Sequence, residues 1–529
     1  MKIIKKYWGL GIVFLLSLFT VNSFFVPGFF PMHDDTQVAR VFEMGKMLKL
    51  GAFPVRWVSD LGYGFGYPIF NFYAPLAYYV GGFLNVSGLD ALLATKLMMT
   101  IGILFSGVSM YVLAREFFKE LGGVLAGLFY VYAPYHAVDI YVRGDVGEVW
   151  AYAFIPLVFY GLWKIHKEQK WKYVVACSFG YAGIILSHNL TAFMITPFLF
   201  IIILFQFYDN YKRNKPYSTG YTLYAIFLGL LVSIFYWLPA LLEMKYTNVL
   251  SQIGGGADFR DHFVCLNQLW DSPWGFGGST PGCIDGMSFK IGKLHITVVV
   301  FSFMLLVLKF LRKKFNHYND TYYYIVKLIG FLILGFMLSI FFMVEISKPV
   351  WETISLMAFF QYPWRFLLLA SFFSSFLAGG LIWSLEPVLK KKNYLLLSLA
   401  GPMVFLLLIF NVKLFQPQAI LDKSVSDFTS DYAILWVASK TSDEYLPIDV
   451  KPPLLSSDIP KKNTDGKSIV VTIENHRELF GNYKNNLPPL RFEETNIEKV
   501  SNVLSLIGVV ILIIGIIYEG KKLVTKGKR

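Results

Sequence analysis

Long apolar stretches recur along the chain and are separated by short polar segments. A run of about 20 apolar residues crosses a bilayer as a helix, because the hydrocarbon offers no partner for a free backbone amide. The pattern therefore predicts an all-α polytopic membrane protein, a helical bundle of about twelve membrane-spanning helices. These helices are expected near residues 7–30, 93–114, 121–135, 148–164, 173–187, 190–208, 221–242, 295–311, 322–344, 363–385, 394–412 and 502–518.

A thirteenth apolar segment, residues 73–88, decides the predicted topology. It is short and contains Pro75, Gly81 and Gly82, so we expect a helix that lies at the interface or dips into it without crossing. With that assignment, the short basic segments fall on one side of the membrane and hold roughly 24 Lys and Arg against about 7 acids, as cytoplasmic loops do. Both termini are therefore expected in the cytoplasm.

Five sizeable segments are then expected on the outer face: residues 31–92, 136–147, 243–294, 345–362 and 413–501. Residues 36–50 have the period of an amphipathic helix, with Gln37, Arg40, Glu43 and Lys46 on its polar face. Residues 468–473 resemble a strand in an otherwise polar, Pro-rich segment. Cys265 and Cys283 share one outer loop, where an oxidising space favours a disulfide and a reducing one leaves two free thiols. The third cysteine, Cys177, lies within an apolar span.

This organisation predicts four regions. They are a transmembrane module 1–242 with the first external loop 31–92, additional transmembrane helices in 243–412 with the external loop 243–294, a small external module 413–501, and a C-terminal helix with a basic cytoplasmic tail, 502–529.

Composition supports the membrane assignment. Of the 529 residues, 55% are hydrophobic and 16% are charged, whereas a soluble chain carries roughly 25% charged residues. Soluble-enzyme and disordered classes are therefore excluded. The net charge of +13 is explained first by basic cytoplasmic loops rather than by nucleic-acid binding.

Charged residues are costly near the bilayer centre, so their positions indicate where chemistry is possible. The notable ones all lie at the predicted outer ends of spans, which favours a single outward-facing cavity. They are His33, Asp34 and Asp35 after the first span, Arg143, Asp145 and Glu148 at the mouth of the fourth, His188 and Asn189 between the fifth and sixth, Glu243 and Lys245 after the seventh, and Arg365 at the start of the tenth.

Each of these groups also has a purely structural interpretation. Asp34, Asp35 and Thr36 could simply cap the helix that begins near residue 36, because Asp and Thr accept hydrogen bonds from free amides at helix N-termini. Arg143 with Asp145 could form a structural ion pair, and His188 could belong to a satisfied hairpin turn. Arg365 could reach outward to lipid headgroups.

Several local strings resemble known membrane proteins. "HDD", "GYGFGYPIFNFYAPLAYYVGG", "RGDVGEVWAYAFIPLVFYG", "LSHNLTAF", "YWLPALLE", "QYPWRFLLLA" and "DEYLP" are similar to bacterial membrane proteins labelled "6-pyruvoyl-tetrahydropterin synthase-related", over about residues 30–450. The span order of residues 1–242 resembles the GT-C superfamily of integral-membrane glycosyltransferases. The pterin label itself does not suit the chain, because its eight histidines include no closely spaced pair for a zinc site.

The GT-C resemblance implies transfer of a hexosyl or pentosyl group from a polyprenyl-phosphate donor to a glycan, lipid or protein acceptor at the outer face of a bacterial cytoplasmic membrane. It places the general base, or a metal ligand, on Asp34 or Asp35 beside His33. A cation must hold the leaving phosphate, and Arg143 and Arg365 are the candidates. Further residues are expected at a metal or acceptor site, with a divalent cation (Mg or Mn) as the possible cofactor: Asp145, Glu148, His188 and Glu243.

Two other functions stay open at this point. A transporter or flippase of lipid-linked saccharide would show inverted repeats and charges near the midplane, neither of which is evident in the sequence. A catalytically inactive assembly protein with the same fold is the second. Outer aromatic residues are expected either to stack on sugars or to form an interface belt; they are Trp57, Tyr63, Tyr67, Tyr73 and Trp150.

Overall fold

The computed structural model describes residues 7–212, 216–254, 257–311, 320–387, 389, 392–463 and 467–526. Among these residues, seven helices are long and apolar enough to cross a membrane, or up to eight if a bent pair is counted as one span. The predicted all-α polytopic architecture is confirmed, and the number of spans stays a prediction. Several basic segments used for the topology lie outside the described residues, namely 1–6, 213–215, 312–319, 390–391 and 527–529.

Most of the longer α-helices of the described residues lie in the predicted apolar segments. In chain order they are α1 (Trp8–Ser17), α2 (Gln37–Lys49), α3 (Ile69–Phe72), α4 (Leu76–Val86), α5 (Ala91–Val131), α6 (Pro134–Val138), α7 (Val146–Glu168), α8 (Trp171–Ser187), α9 (Asn189–Lys212), α10 (Pro216–Val232), α11 (Ile234–Glu243), α12 (Leu266–Trp270), α13 (Lys293–Leu311), α14 (Asp320–Met343), α15 (Lys348–Thr353), α16 (Leu367–Leu385), α17 (Asn393–Asn411), α18 (Ser426–Thr429), α19 (His476–Asn482) and α20 (Asn496–Lys526).

Helix α5 contains a chain reversal. Its Lys119 has a positive φ of 63°, and a Cβ added to Gly107 would lie only 2.5 Å from Cγ2 of Val131. These two residues are 24 positions apart, which in a straight helix corresponds to about 36 Å. The two halves of α5 are therefore antiparallel and match the predicted spans 93–114 and 121–135. Gly107 and Gly127 let the two backbones approach closely.

Two predicted spans differ in detail from the helices observed. The first span, expected over 7–30, is α-helical only to Ser17 and continues as short 3₁₀ turns. The span expected over 221–242 is divided between α10 and α11, whose axes differ by 62°. The segment 73–88 contains the short helix α4, which packs against α2.

The amphipathic helix expected near 36–50 is present as α2, but its predicted polar face is covered. Arg40 Nη2 donates to Ser442 Oγ at 2.9 Å, and Lys46 forms an ion pair with Asp60. The C-terminal half of the chain therefore packs over the first external loop and covers part of the polar face of α2.

The segment 413–501 forms little regular structure of its own. It holds two short parallel pairs, β1 (Lys461–Lys462) with β3 (Asn486–Leu487) and β2 (Ile469–Val471) with β4 (Leu490–Phe492). The strand β2 falls within the predicted run 468–473. Phe492 stacks on Trp57 with ring centroids 4.7 Å apart, so the segment is anchored on the first external loop.

Candidate functional site

A cavity of about 480 Å³ lies where the ends of several helices meet the loops of one face. We call it the vestibule. It collects residues from segments that are more than 400 positions apart in the chain. Its charged and polar lining includes His33, Asp34, Tyr73, Arg143, Asp145, His188, Asn189, Gln252, His262, Ser279, Gln361, Tyr362, Trp364, Arg365, Glu444 and Tyr445.

Backbone hydrogen bonds fix Asp34 in the vestibule. The N–H of His33 donates to the carbonyl of Val142 at 3.0 Å, and the N–H of Asp34 donates to the carbonyl of Arg143 at 2.9 Å. The next turn contains Gly144, whose φ is +68° and where a Cβ would lie 2.2 Å from Sδ of Met32. This position requires glycine, because a side chain would push the two segments apart.

Arg143 is the centre of a buried ion cluster. Its Nη2 lies 2.8 Å from Oδ2 of Asp145, and its Nη1 lies 2.7 Å from Oε2 of Glu148. A third carboxylate, that of Asp139, contacts the same guanidinium. Arg143 is 7% exposed and its acidic partners are 5% exposed or less. The structural ion-pair interpretation of Arg143 and Asp145 therefore describes the contacts observed.

Arg365 has a different environment. It lies in a 3₁₀ turn just before α16, and its Nη1 donates to the carbonyl of Phe360 and to Oε1 of Gln361, each at 3.1 Å. The nearest carboxylate oxygen, Oε2 of Glu148, is 4.0 Å from its Nε. That Nε is buried and has no hydrogen-bond partner among the described residues. Arg365 thus carries the less compensated positive charge of the vestibule.

The pKa values of Asp34 and Asp145, the two aspartates that line the vestibule, are shifted in opposite directions. Burial and the neighbouring charge of Asp145 raise the pKa of Asp34, against the opposing effects of nearby arginines. Burial also disfavours the charge of Asp145, but Arg143, His188 and Arg365 together lower its pKa to about 2. Among the described residues, none donates a hydrogen bond to the Asp34 carboxylate. Asp34 is therefore the available proton acceptor.

The remaining predicted acids and His33 are placed less centrally. Asp35 is exposed and does not line the vestibule. His33 is exposed at the rim, with Nε2 3.1 Å from the carbonyl oxygen of Phe276. Glu243 lies outside the vestibule lining, where it accepts hydrogen bonds from Asn71 at 2.7 Å and from Thr495 at 2.6 Å. Asp34 therefore lines the vestibule whereas Asp35 does not, and Glu243 lies apart from Asp145 and His188.

Neither Asp34 nor Asp35 caps α2, because the N-cap of that helix makes no side-chain cap hydrogen bond. The capping role falls instead on Asp145, whose Oδ1 accepts from the N–H of Glu148 at 2.9 Å at the start of α7.

Asp145, Glu148 and His188 offer ligand atoms that lie within 4.8 Å of one another, close enough to hold a metal ion. The carboxylate oxygens and Nδ1 of His188 are already engaged, however. Both carboxylates bind Arg143, the second oxygen of Glu148 accepts from Tyr135 at 2.7 Å, and Nδ1 of His188 lies 2.7 Å from Oγ1 of Thr191. A divalent cation would have to displace the guanidinium of Arg143, so these residues do not fit a metal ion as arranged.

Several lining residues were missed from the sequence. Arg40 is buried beside the vestibule, 4.5 Å from the ring centroid of Tyr73, but its helical period assigned it to a solvated face. Glu444 and Tyr445 enter from the C-terminal segment, and the string "DEYLP" was the only signal of their importance. Of the aromatic residues expected to stack on sugars, Tyr73 lines the vestibule, whereas Trp57, Tyr63, Tyr67 and Trp150 do not.

The loop 243–294 covers part of the vestibule. Gly278, Ser279 and Met287 belong to the lining, and Nδ1 of His262 lies 2.9 Å from Oγ of Ser279. The structure joins Cys265 and Cys283 in a disulfide, with Cα atoms 5.6 Å apart. The disulfide thus joins two parts of the loop that covers the vestibule.

Residues 70–254 match the family model described as "6-pyruvoyl-tetrahydropterin synthase related domain; membrane protein", which confirms the resemblance predicted from the local strings. An uncharacterised protein of Lactococcus lactis subsp. cremoris (strain MG1363) is 25% identical over 243 residues, which is 44% of this chain and 39% of the relative. The chain thus spans well under half the length of that relative.

The solved structures that contain similar chains include the following three. The arabinofuranosyltransferase AftD from Mycobacteria is 14% identical with a TM-score of 0.46, over 78% of this chain and 27% of AftD. The oligosaccharyltransferase AglB from Archaeoglobus fulgidus, solved with an inhibitory peptide and a dolichol-phosphate, is 11% identical with a TM-score of 0.48, over 92% and 65%. ArnT from Cupriavidus metallidurans, bound to undecaprenyl phosphate, is 12% identical with a TM-score of 0.37, over 94% and 87%.

Proposed function

We propose that the protein is an integral-membrane glycosyltransferase. It moves a sugar from a polyprenyl-phosphate donor to an acceptor at the outer face of the bacterial cytoplasmic membrane. The observation that supports this most is the pairing, in one cavity, of Asp34 with Arg365. The first is a carboxylate without a hydrogen-bond donor among the described residues, and the second is a cation whose nearest carboxylate oxygen is 4.0 Å from its Nε.

The proposed reaction uses these two groups on opposite sides of the anomeric carbon. Asp34 takes the proton of the acceptor hydroxyl or amide while the acceptor atom forms its bond to the anomeric carbon. The bond from that carbon to the phosphate oxygen breaks, and its electron pair stays on the phosphate. Sugar transfer of this kind develops positive charge on the ring, which favours a nearby carboxylate.

Arg365 then stabilises the leaving phosphate. A guanidinium can bind two phosphate oxygens through parallel N–H donors, and Arg365 lines the vestibule with only neutral oxygens as its hydrogen-bond acceptors among the described residues. Arg143 is unsuited to this role because three carboxylates already balance its charge. Its function in the proposal is to keep Asp145 ionised beside Asp34.

The proposal is tested first by mass spectrometry of lipids that co-purify with the protein, which should include a polyprenyl-phosphate sugar. The identified donor is then used in transfer assays with Asp34→Asn and with Asp35→Asn as the matched control. Removing a positioned general base costs about 10²–10⁴-fold in rate, so Asp34→Asn should lose at least 100-fold. The exposed neighbour Asp35→Asn should stay within about twofold.

Arg365→Met provides the second arm of the test. It should raise the donor KM at unchanged expression, because it removes the phosphate contact. Full transfer activity in Asp34→Asn, or unchanged donor kinetics in Arg365→Met, would contradict the assigned roles.

A further inference from the structure

A second cavity, of about 850 Å³, lies in the segment 413–501. We call it the outer cleft, because that segment is predicted on the outer face of the membrane. Residues 449–461 form one wall and residues 477–486 the other, and the first external loop contributes the buried Phe65. The cleft is open enough to admit an extended ligand, because exposed side chains line both walls: Lys451, Ser457, Lys461, Arg477, Lys484 and Asn485.

Positive charge is in excess along the outer cleft. Oδ2 of Asp449 lies 3.5 Å from Nη2 of Arg477, and Oδ2 of Asp458 accepts a hydrogen bond from the N–H of Leu455 at 3.0 Å. The lysines of the lining form no ion pair among the described residues. Unbalanced charges of one sign around a cleft attract a ligand of the opposite sign. The charged residues that line the cleft are Lys451, Lys461, Arg477, Lys484, Asp449 and Asp458.

The strand β1 separates a structural lysine from one that is left for a ligand. Lys461 and Lys462 are consecutive, and consecutive side chains of a strand point to opposite faces. Nζ of Lys462 donates to the carbonyl of Ser59 at 3.1 Å and pairs with Asp60, which anchors the strand on the first external loop. Lys461 lines the cleft, and its backbone N–H donates to the carbonyl of Asn485 at 2.9 Å, which joins the two walls.

The outer cleft also offers uncharged groups that suit a sugar. Phe480 stacks on Phe65 with ring centroids 4.0 Å apart, and the half-buried Tyr483 lies on the same wall. The face of an aromatic ring is negative and attracts the C–H groups on one side of a sugar ring. The side-chain amides of Asn485 and Asn486 make no hydrogen bond among the described residues, and an amide can both donate to a hydroxyl and accept from one. A polysaccharide with acidic groups would use the rings, the amides and the lysines together.

The outer cleft lies close to the vestibule. Tyr445 lines the vestibule and Asp449 lines the cleft, and four residues of chain span at most about 14 Å. The segment between them is fixed to the loop 243–294, because the N–H of Ile448 donates to the carbonyl of Tyr246 at 3.1 Å. A polymer that lies in the cleft can therefore extend to the vestibule.

We propose that the outer cleft binds an anionic polysaccharide, and that this polymer is the acceptor of the transferred sugar. The lysines contact its carboxylate or phosphate groups, Tyr483 stacks on one of its sugars, and a terminal hydroxyl reaches Asp34 and gives up its proton there. The role as acceptor rests on the proposed function, whereas binding in the cleft does not.

Fluorescence polarisation with labelled octasaccharides, on the full chain in detergent and without donor, tests the binding. The probes are octagalacturonate, a phosphorylated maltooctaose and neutral maltooctaose, with octaglutamate as an acidic peptide. An anionic sugar should bind about tenfold more tightly than the neutral sugar and the peptide, and its affinity should fall as salt screens the lysines. The tighter of the two anionic sugars identifies the acidic group. Equal or tighter binding of maltooctaose or octaglutamate would overturn the proposal.

A lysine triple variant tests the location of the site. Replacing Lys451, Lys461 and Lys484 together by Gln should weaken binding of the anionic octasaccharide about tenfold, the combined effect of three exposed ion pairs. Tyr483→Leu should weaken it about fivefold through the lost ring face. The matched control replaces three exposed lysines of the same segment that do not line the cleft, and it should bind as the wild type does: Lys423, Lys440 and Lys467. Equal losses in the two triple variants would overturn the proposal.

Transfer assays separate this proposal from the proposed function. The lysine triple variant should raise the acceptor KM about tenfold at unchanged kcat, because the cleft holds the polymer away from the reacting atoms. An unchanged acceptor KM alongside weakened binding would show that the polymer is not the acceptor. Asp34→Asn should bind the octasaccharide normally and fail to transfer to it; normal binding with full transfer would refute the role of Asp34 and leave the cleft in place.

Discussion

Arg143 and Arg365 line the same vestibule, yet replacing Arg143 by methionine should destabilise the protein much more than replacing Arg365. Arg143→Met would leave three carboxylates, those of Asp139, Asp145 and Glu148, without their shared counter-charge. These side chains are at most 5% exposed. Removing one partner of a buried ion pair typically costs about 3–5 kcal/mol, because the other charge stays buried. We expect a loss of free energy of unfolding in that range.

Arg365→Met should cost much less stability. Its hydrogen bonds go to two neutral oxygens, and its nearest carboxylate oxygen is 4.0 Å away. The expected loss is about 1–2 kcal/mol, together with weaker donor binding. The assay is SDS-induced unfolding in mixed micelles, followed by tryptophan fluorescence, with donor titration of each folded variant.

A third variant separates charge balance from packing. Adding Asp139→Asn to Arg143→Met removes one of the orphaned carboxylates and should recover part of the lost stability. Equal losses in Arg143→Met and Arg365→Met, or no recovery in the double variant, would refute the view of Arg143 as the shared counter-charge of the vestibule.

Three further results are expected. The raised pKa of Asp34 should place the acidic limb of the kcat/KM profile above the usual aspartate range of about 3.9, because the base must be deprotonated; a limb at or below that range would contradict the assignment. Gly144→Ala should lower the unfolding midpoint and the transfer rate together, since the new Cβ meets Met32 at a positive φ; wild-type behaviour would show that the turn relaxes freely. Chelation with EDTA should leave transfer unchanged, as Arg143 already engages both acids, and a loss that Mg²⁺ restores would show that the guanidinium gives way to a metal.

The positions of the helices were accessible from the sequence because a bilayer imposes a length and an apolarity on each span. Even the reversal inside α5 was anticipated, since Lys119 interrupts two apolar runs that are each long enough to be helical. The 62° bend between α10 and α11 was not, because no property of local composition distinguishes a straight span from a bent one there.

The vestibule was predictable only in outline. Charges at the outer ends of spans indicated a cavity, but not which of Asp34 and Asp35 faces it. That choice depends on the hydrogen bonds that join residues 33–34 to residues 142–143, more than 100 positions away. Glu444 and Tyr445 are about 410 positions from Asp34, so local pattern carries no information about their approach.

The ion cluster around Arg143 has a chemical consequence beyond structural support. Two carboxylates that share a cavity cannot both ionise easily, so a fold that fixes one as an anion raises the pKa of the other. Arg143 stabilises the charge of Asp145, and that charge in turn helps to raise the pKa of Asp34. The ion pair of Arg143 and Asp145 therefore affects the pKa of Asp34, the proposed base, as well as supporting the structure. Weakening this ion pair should lower the pKa of Asp34 only if Asp145 becomes protonated. The variant Asp145→Asn separates these effects: it should move the acidic limb of the activity profile to lower pH, whereas a role confined to stability would leave that limb in place.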